Sequence, residues 1–166
     1  MLASAEMDMQ VELTSALAAT VGEIAAATRK LLITLEEERE ALQLGDDSRL
    51  LYVTGVKTGL LQSLESFEAE RQHLVSQIHS GSPPVPFAMK RALKGSPETT
   101  ALWEETVELL GYCRTLNQSN GSAVELRLGQ IRQALEILSG APANAGLYGP
   151  QGARQSLRRS TPIAKV

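Results

Sequence analysis

Apolar side chains recur along the first part of the chain at Leu17, Val21, Ile24, Leu31, Leu35 and Leu42, three and four residues apart once Thr28 and Glu38 are counted in the same stripe. That spacing puts them on one helical face in heptad rhythm and predicts a helix over about 8–44. Gly45-Asp46-Asp47-Ser48 then offers a glycine to end one helix and carboxylate or hydroxyl groups to cap the next, the signature of a tight helical hairpin. The rhythm resumes through Leu50, Val53, Leu60, Leu64, Phe67, Leu74 and Ile78, predicting a second helix over about 47–79. Lys57 and Arg71 fill two of its stripe positions, where long aliphatic stems can lie along apolar surface. At 1.5 Å per residue, each of these helices is roughly 50 Å long. Gly55 and Gly59 make a GxxxG within the second, which fits either a close crossing with the first helix or simple tolerance of glycine.

Ser80-Gly81-Ser82-Pro83-Pro84-Val85-Pro86 cannot continue a helix, because its prolines lack amide donors and push their predecessors toward extended backbone. Residues Phe87 to Leu93 have room for one or two helical turns before Gly95-Ser96-Pro97, where Ser96 can cap and Pro97 takes the favoured first helical position. A third stripe follows: Leu102, Thr106, Leu109, Cys113, Leu116 or Asn117, Asn120, Val124, Leu128, Ile131, Leu135 and Leu138. It predicts a helix over about 97–139. The stripe crosses Asn120-Gly121 in phase, although Asn-Gly also signals a turn and glycine costs about 1 kcal/mol inside a helix, so a kink or break there stays open. From Gly140 onward the Pro, Gly, Ala and Asn content denies the chain periodicity, and 140–166 reads as a tail disordered until bound. The pattern gives an all-α fold: an antiparallel three-helix coiled-coil-like bundle over residues 1–139, with a short connector helix and a flexible C-terminal tail.

Composition supports helices over sheets, since aromatic residues make up only 4% of a chain whose 166 residues suit one domain. The net charge of −3 hides an asymmetry. Arg154, Arg158, Arg159 and Lys165 stand in the tail without any Asp or Glu, so the tail carries about +4 and residues 1–139 about −7. Four charges without interleaved aromatics fit attachment to an acidic protein surface better than to nucleic acid, and no nucleic-acid partner is expected. The single cysteine, Cys113, excludes an internal disulfide and, with only two histidines, argues against a zinc site. The start lacks the basic and apolar stretches of a secretion signal, and no run approaches the roughly 18 apolar residues of a membrane span. A cytoplasmic protein with no direct membrane insertion is expected.

Candidate chemistry is sparse. His73 and His79, six apart on one helix, face different directions and read as surface histidines. Cys113 falls on the apolar stripe without a histidine one turn away, which suits a small core residue rather than a nucleophile. Glu36-Glu37-Glu38-Arg39-Glu40 reads as a solvated helix face, and no carboxylate pair has a reason to be desolvated. Neither catalysis nor a cofactor or metal is expected. Asn117 and Asn120 are different, because they sit on or beside a stripe of Leu, Val, Ile and Cys, where buried amides need partners. They could fix register or cap a kink at Gly121, or meet a partner protein.

The best candidate binding surface is the end of the third stripe. Val124, Leu128, Ile131, Leu135 and Leu138 share one face of about 80°, whereas Leu126 and Ile137 fall nearly opposite, with Ala123 and Ala134 linking the two. Two apolar faces need two neighbours. One is expected to pack on the first two helices and the other to take an amphipathic helix of a client, in the helix-in-groove mode. In the tail, Tyr148 between Leu147 and Gly149 is the conspicuous aromatic, and reads as a recognition motif because Tyr supplies large contact area at low entropic cost.

Two strings carry a resemblance: Leu116-Asn117-Gln118-Ser119-Asn120-Gly121, and Leu147-Tyr148-Gly149-Pro150-Gln151-Gly152. In order and spacing they resemble the flagellar export chaperones of the FlgN type. The resemblance implies a cytoplasmic escort of the hook-filament junction proteins that binds their C-terminal amphipathic regions, prevents premature assembly and delivers them to the type III export apparatus. It implies that the helix ending near Leu138 is the client-binding element and that Tyr148 docks on the cytoplasmic domain of the export gate, with the export ATPase complex a further candidate partner. The Pro-rich connector and the basic extension after Gly152 are longer than the family minimum, so roles for Arg154, Arg158 and Arg159 do not transfer. A different reading of the same stripes is a homodimeric coiled-coil adaptor with a C-terminal linear motif.

Overall fold

A computed structural model describes residues 2–79 and 88–138, and among them the regular structure is all helical. Four helices follow in order: α1 (Leu2–Leu44), α2 (Asp47–Ile78), α3 (Ala88–Ala92) and α4 (Pro97–Leu138). α1 begins before its heptad pattern does. Its first turns are built from good helix formers such as Leu, Ala, Met and Glu, which need no buried face to stay helical when the helix behind them is packed.

The α1–α2 turn is fixed at both ends. Gly45 adopts φ +70°, and the amide of Asp46 donates back to the Ala41 carbonyl at 3.0 Å, closing the last turn of α1. The Asp46 carboxylate then accepts from the Arg49 amide at 2.9 Å and caps α2. The two helices run antiparallel, with Arg49 beside Glu40, Lys57 beside Glu38, and Leu74 and Val75 clustered with Leu17 and Val21.

At the end of α2, His79 donates from Nε2 to the Ala88 carbonyl at 2.8 Å, tying the exit of α2 to the start of α3. His79 is therefore half-buried rather than the free surface histidine its spacing suggests, while His73 is exposed. α3 buries Ala88 and Ala92, and Leu93 just after it is almost wholly enclosed. Gly95 at φ +106° turns the chain into α4. There the Ser96 hydroxyl bonds the Thr99 hydroxyl at 2.7 Å.

α4 is a single helix through Asn120-Gly121, so no break occurs there. From it Cys113 Sγ reaches the Thr28 carbonyl of α1 at 3.9 Å and Asn120 the Leu35 carbonyl at 2.9 Å, while Trp103 meets Arg71 of α2 and Asn117 meets Lys57. The apolar interior forms two clusters. One joins Leu17, Val21, Leu74, Val75 and the α3 segment, with Leu102 and Trp103 packed on it. The other joins Leu31, Leu35, Cys113 and Leu116, with Leu60 and Leu64 beside it. Buried Thr20, Thr28, Thr34 and Thr106 satisfy their hydroxyls on the carbonyl four residues back, so these polar groups enter the interior without an unmet bond. Gly55 and Gly59 are exposed, with open space where a Cβ would stand, which rules out the close crossing that GxxxG permits.

Candidate functional site

The asparagines come first, because their partners decide what α4 can do. Asn120 is 2% exposed and donates from Nδ2 to the Leu35 carbonyl and to Glu38 Oε2, both at 2.9 Å. Glu38, 4% exposed, receives Lys57 Nζ on its other oxygen at 2.5 Å, and Lys57 also reaches Asn117 Oδ1 at 3.3 Å. Five polar groups from three helices thus close a single network, and among the described residues every buried polar side-chain atom has a partner. Asn117 itself is exposed, and Leu116 rather than Asn117 occupies the stripe. Gly121 is exposed and takes part in no turn. Glu38 is the exception within its charge run. Its stripe position buries it, and Lys57, also a stripe residue, supplies the countercharge.

Residues 126–138, the described part of a second compact unit that begins at Leu126, form the last turns of α4. Leu126 is 67% exposed and Ile137 72%, and on the other face Leu128, Ile131, Leu135 and Leu138 are exposed as well. Ala134 is exposed too, and only Val124, one turn earlier, is half-buried. The expectation that the Leu128 face packs on the first two helices is therefore corrected: both faces are open.

Within residues 1–125 a second apolar surface appears that the stripes do not announce. A cleft of about 420 Å³ opens between α2 and α4, floored by Ile24 and Leu31 and walled by Leu61, Leu64, Trp103 and Leu110. Arg71 stands near Trp103, its guanidinium 5.0 Å from the ring centroid, and forks onto Glu68 at 2.7 and 2.6 Å. Arg71 looks from sequence like a stem lying on apolar surface. Its partners lie on three helices, which no single-helix pattern displays.

Reactive groups are few. Burial pushes the Cys113 thiol up from its ordinary range, which leaves less thiolate and suits a packing role. Among the described residues no group of three His, Cys, Asp or Glu side chains could hold a metal, and no helix is long and apolar enough to cross a membrane. Leu147, Tyr148 and Gly149 lie outside the described residues, as does the whole of 140–166.

The model of the FlgN protein family matches residues 7–156. The chain belongs to the FlgN family. Comparison with curated proteins and with solved structures gives no match. The FlgN match spans nearly the whole sequence, including the open turns of α4 and the Tyr148 segment, and the family implies the role of a flagellar export chaperone. For a FlgN-family protein, the informative feature is then an apolar helix end without a covering partner among the described residues.

Proposed function

We propose that this FlgN-family protein is a cytoplasmic type III export chaperone that binds the C-terminal amphipathic regions of hook-filament junction proteins, prevents their premature assembly and delivers them to the export gate. In this reading the three long helices act as one antiparallel coiled-coil-like bundle that holds α4 straight. Residues 124–138 present Val124, Leu126, Leu128, Ile131, Ala134, Leu135, Ile137 and Leu138 to the client. Leu147, Tyr148 and Gly149 dock on the cytoplasmic domain of the gate, and the export ATPase complex is a further partner.

The observation that carries the reading is the exposure of both apolar faces of residues 126–138. A contiguous apolar strip on a soluble helix marks an interaction surface, because leaving it in water costs about 25 cal/mol per Å². An amphipathic client helix buries such a strip without chemistry. An escort must also release its client, and a binding free energy of roughly −8 to −12 kcal/mol, micromolar to nanomolar, suffices for both tasks.

One two-stage assay tests it: purified chaperone captures a junction protein, and the complex is then offered the gate domain. Leu126→Glu/Ile137→Glu should lose client capture while keeping the helical circular-dichroism signal. Tyr148→Ala should keep capture and lose the gate. Capture unaffected by the two glutamates would refute the surface, and a constitutive homodimer in light scattering without client would favour the adaptor.

A further inference from the structure

We infer that the α3–α4 corner is a second docking surface, built for an acidic, partly apolar protein segment. Lys90 and Arg91 on α3 and Lys94 in the following turn stand within five residues of one another, and all are exposed. Elsewhere on residues 1–125, Arg29 is answered by Glu105, Arg49 by Glu40, Lys57 by Glu38 and Arg71 by Glu68, while Lys30, Arg39 and Arg114 are unpaired among the described residues but stand apart from one another in the sequence. Lys90, Arg91 and Lys94 have no side-chain hydrogen bond or ion pair among the described residues. In a body that carries about −7, three such cations within five residues are a local concentration of positive charge with a definite place.

The three cations border a depression of about 580 Å³ whose floor includes Leu93, Pro97 and Ala101, with Glu104 on the far wall. Its shape is set in advance. Leu93 is 1% exposed, its amide donates to Met89 at 3.0 Å, the Lys94 amide to Arg91 at 3.2 Å and the Ser96 amide to Leu93 at 3.0 Å. Gly95, at φ +106°, completes the bend in a conformation that a side chain would strain.

The occupant follows from charge and size. The depression is far larger than a phosphate, and Pro97 removes one of the amide donors that an anion would seek at the start of α4. An extended polyanion, whether nucleic acid or a membrane of anionic lipid, would bring many charges against an acidic body and gain only this local cluster. A short peptide segment carrying Asp or Glu beside Leu-type side chains meets the cations with its carboxylates and the exposed Pro97 and Ala101 with its apolar groups. This surface is distinct from residues 126–138 and does not depend on what they bind.

The test uses the full chain and a fluorescein-labelled peptide of Glu, Leu and Ala, read by fluorescence anisotropy. Wild type should bind it, more weakly as salt rises from about 0.1 M to about 1 M, where the screening length falls from about 10 to about 3 Å. Lys90→Glu/Arg91→Glu/Lys94→Glu should weaken binding about tenfold or more, and replacing the peptide's Leu by Ser should weaken it as well. Arg154→Gln/Arg158→Gln/Arg159→Gln should leave it unchanged. Circular dichroism and Trp103 emission check folding, and Lys90→Gln/Lys94→Gln, with a smaller drop of about threefold, serves if the charge-reversed chain does not fold. The inference is overturned if the corner variants bind the peptide as wild type does, if only the tail variant loses binding, if wild type does not bind it, or if phosphatidylserine vesicles or a DNA oligonucleotide bind in preference to it.

Discussion

Both hydrogen bonds of the Asn120 amide end on α1, one on a backbone carbonyl and one on the Glu38 carboxylate, so a shift of α4 by a single turn would leave the buried amide without either acceptor and take one donor from Glu38. This is the way a buried polar residue fixes register in a coiled coil: the aligned state gains little, and misaligned states lose much. Lys57 completes the arrangement by neutralising a carboxylate that is almost fully enclosed. Lys57→Met should therefore lower the unfolding free energy by about 2–3 kcal/mol, because the pair is broken from one side and leaves a buried charge. Adding Glu38→Gln should restore at least half of that loss, since the amide still accepts from Asn120 and no charge is left alone. Urea unfolding of the two variants and wild type measures both effects. A single variant within about 0.5 kcal/mol of wild type would mean that water already solvates Glu38. Sequence reading located the asparagines and counted Glu38 in its stripe, yet it could not pair them, because the partners lie more than eighty residues apart.

At the scale of a helix, glycines separate into those that the fold requires and those it merely bears. Gly45 and Gly95 hold positive φ at the ends of elements, where a Cβ is strained. Gly55 and Gly59 lie inside α2 facing open space, where a Cβ meets nothing within 4 Å. Gly55→Ala and Gly59→Ala should each stabilise the protein by about 1 kcal/mol, through helix propensity and a less flexible unfolded chain, and raise the urea midpoint without altering its slope. A loss of stability in either variant would reveal a contact at that face. Helix limits were legible because stripe, cap and breaker residues agree, as at Gly45-Asp46, where the glycine ends α1 and the carboxylate caps α2. GxxxG was not, since one spacing serves both a close crossing and an exposed face. Nor was the openness of residues 126–138 on both sides. A stripe shows which face is apolar and says nothing about whether a neighbour covers it.

For the molecule as a whole, the arrangement of the interior into two apolar clusters makes its response to acid local. The cluster that includes α3 is clasped by Arg71, which forks onto Glu68, lies over Trp103 and donates to Met89 Sδ at 3.6 Å, so one guanidinium touches α2, α3 and α4. The hydrogen bonds from Arg71 hold the Glu68 carboxyl below the usual carboxylate range, with burial opposing and Gln72 assisting. A carboxyl with a lowered folded value binds protons less readily in the native state than in the unfolded one, where the value is about 4.3. The stability contributed by the pair is thus fully present above about pH 4.3 and is lost as pH falls through the lower folded value. Because Glu68 is partly exposed, that contribution is modest, below about 1 kcal/mol. Acid titration through that lower value should accordingly loosen the α3 corner, read by the emission of Trp103, which is the single tryptophan of the chain. Glu68→Gln should remove this step while leaving the loss of helix by circular dichroism in place. If the Trp103 change coincided with global unfolding in wild type and variant alike, the clasp would hold no independent share of the fold, and the two clusters would have to melt as one.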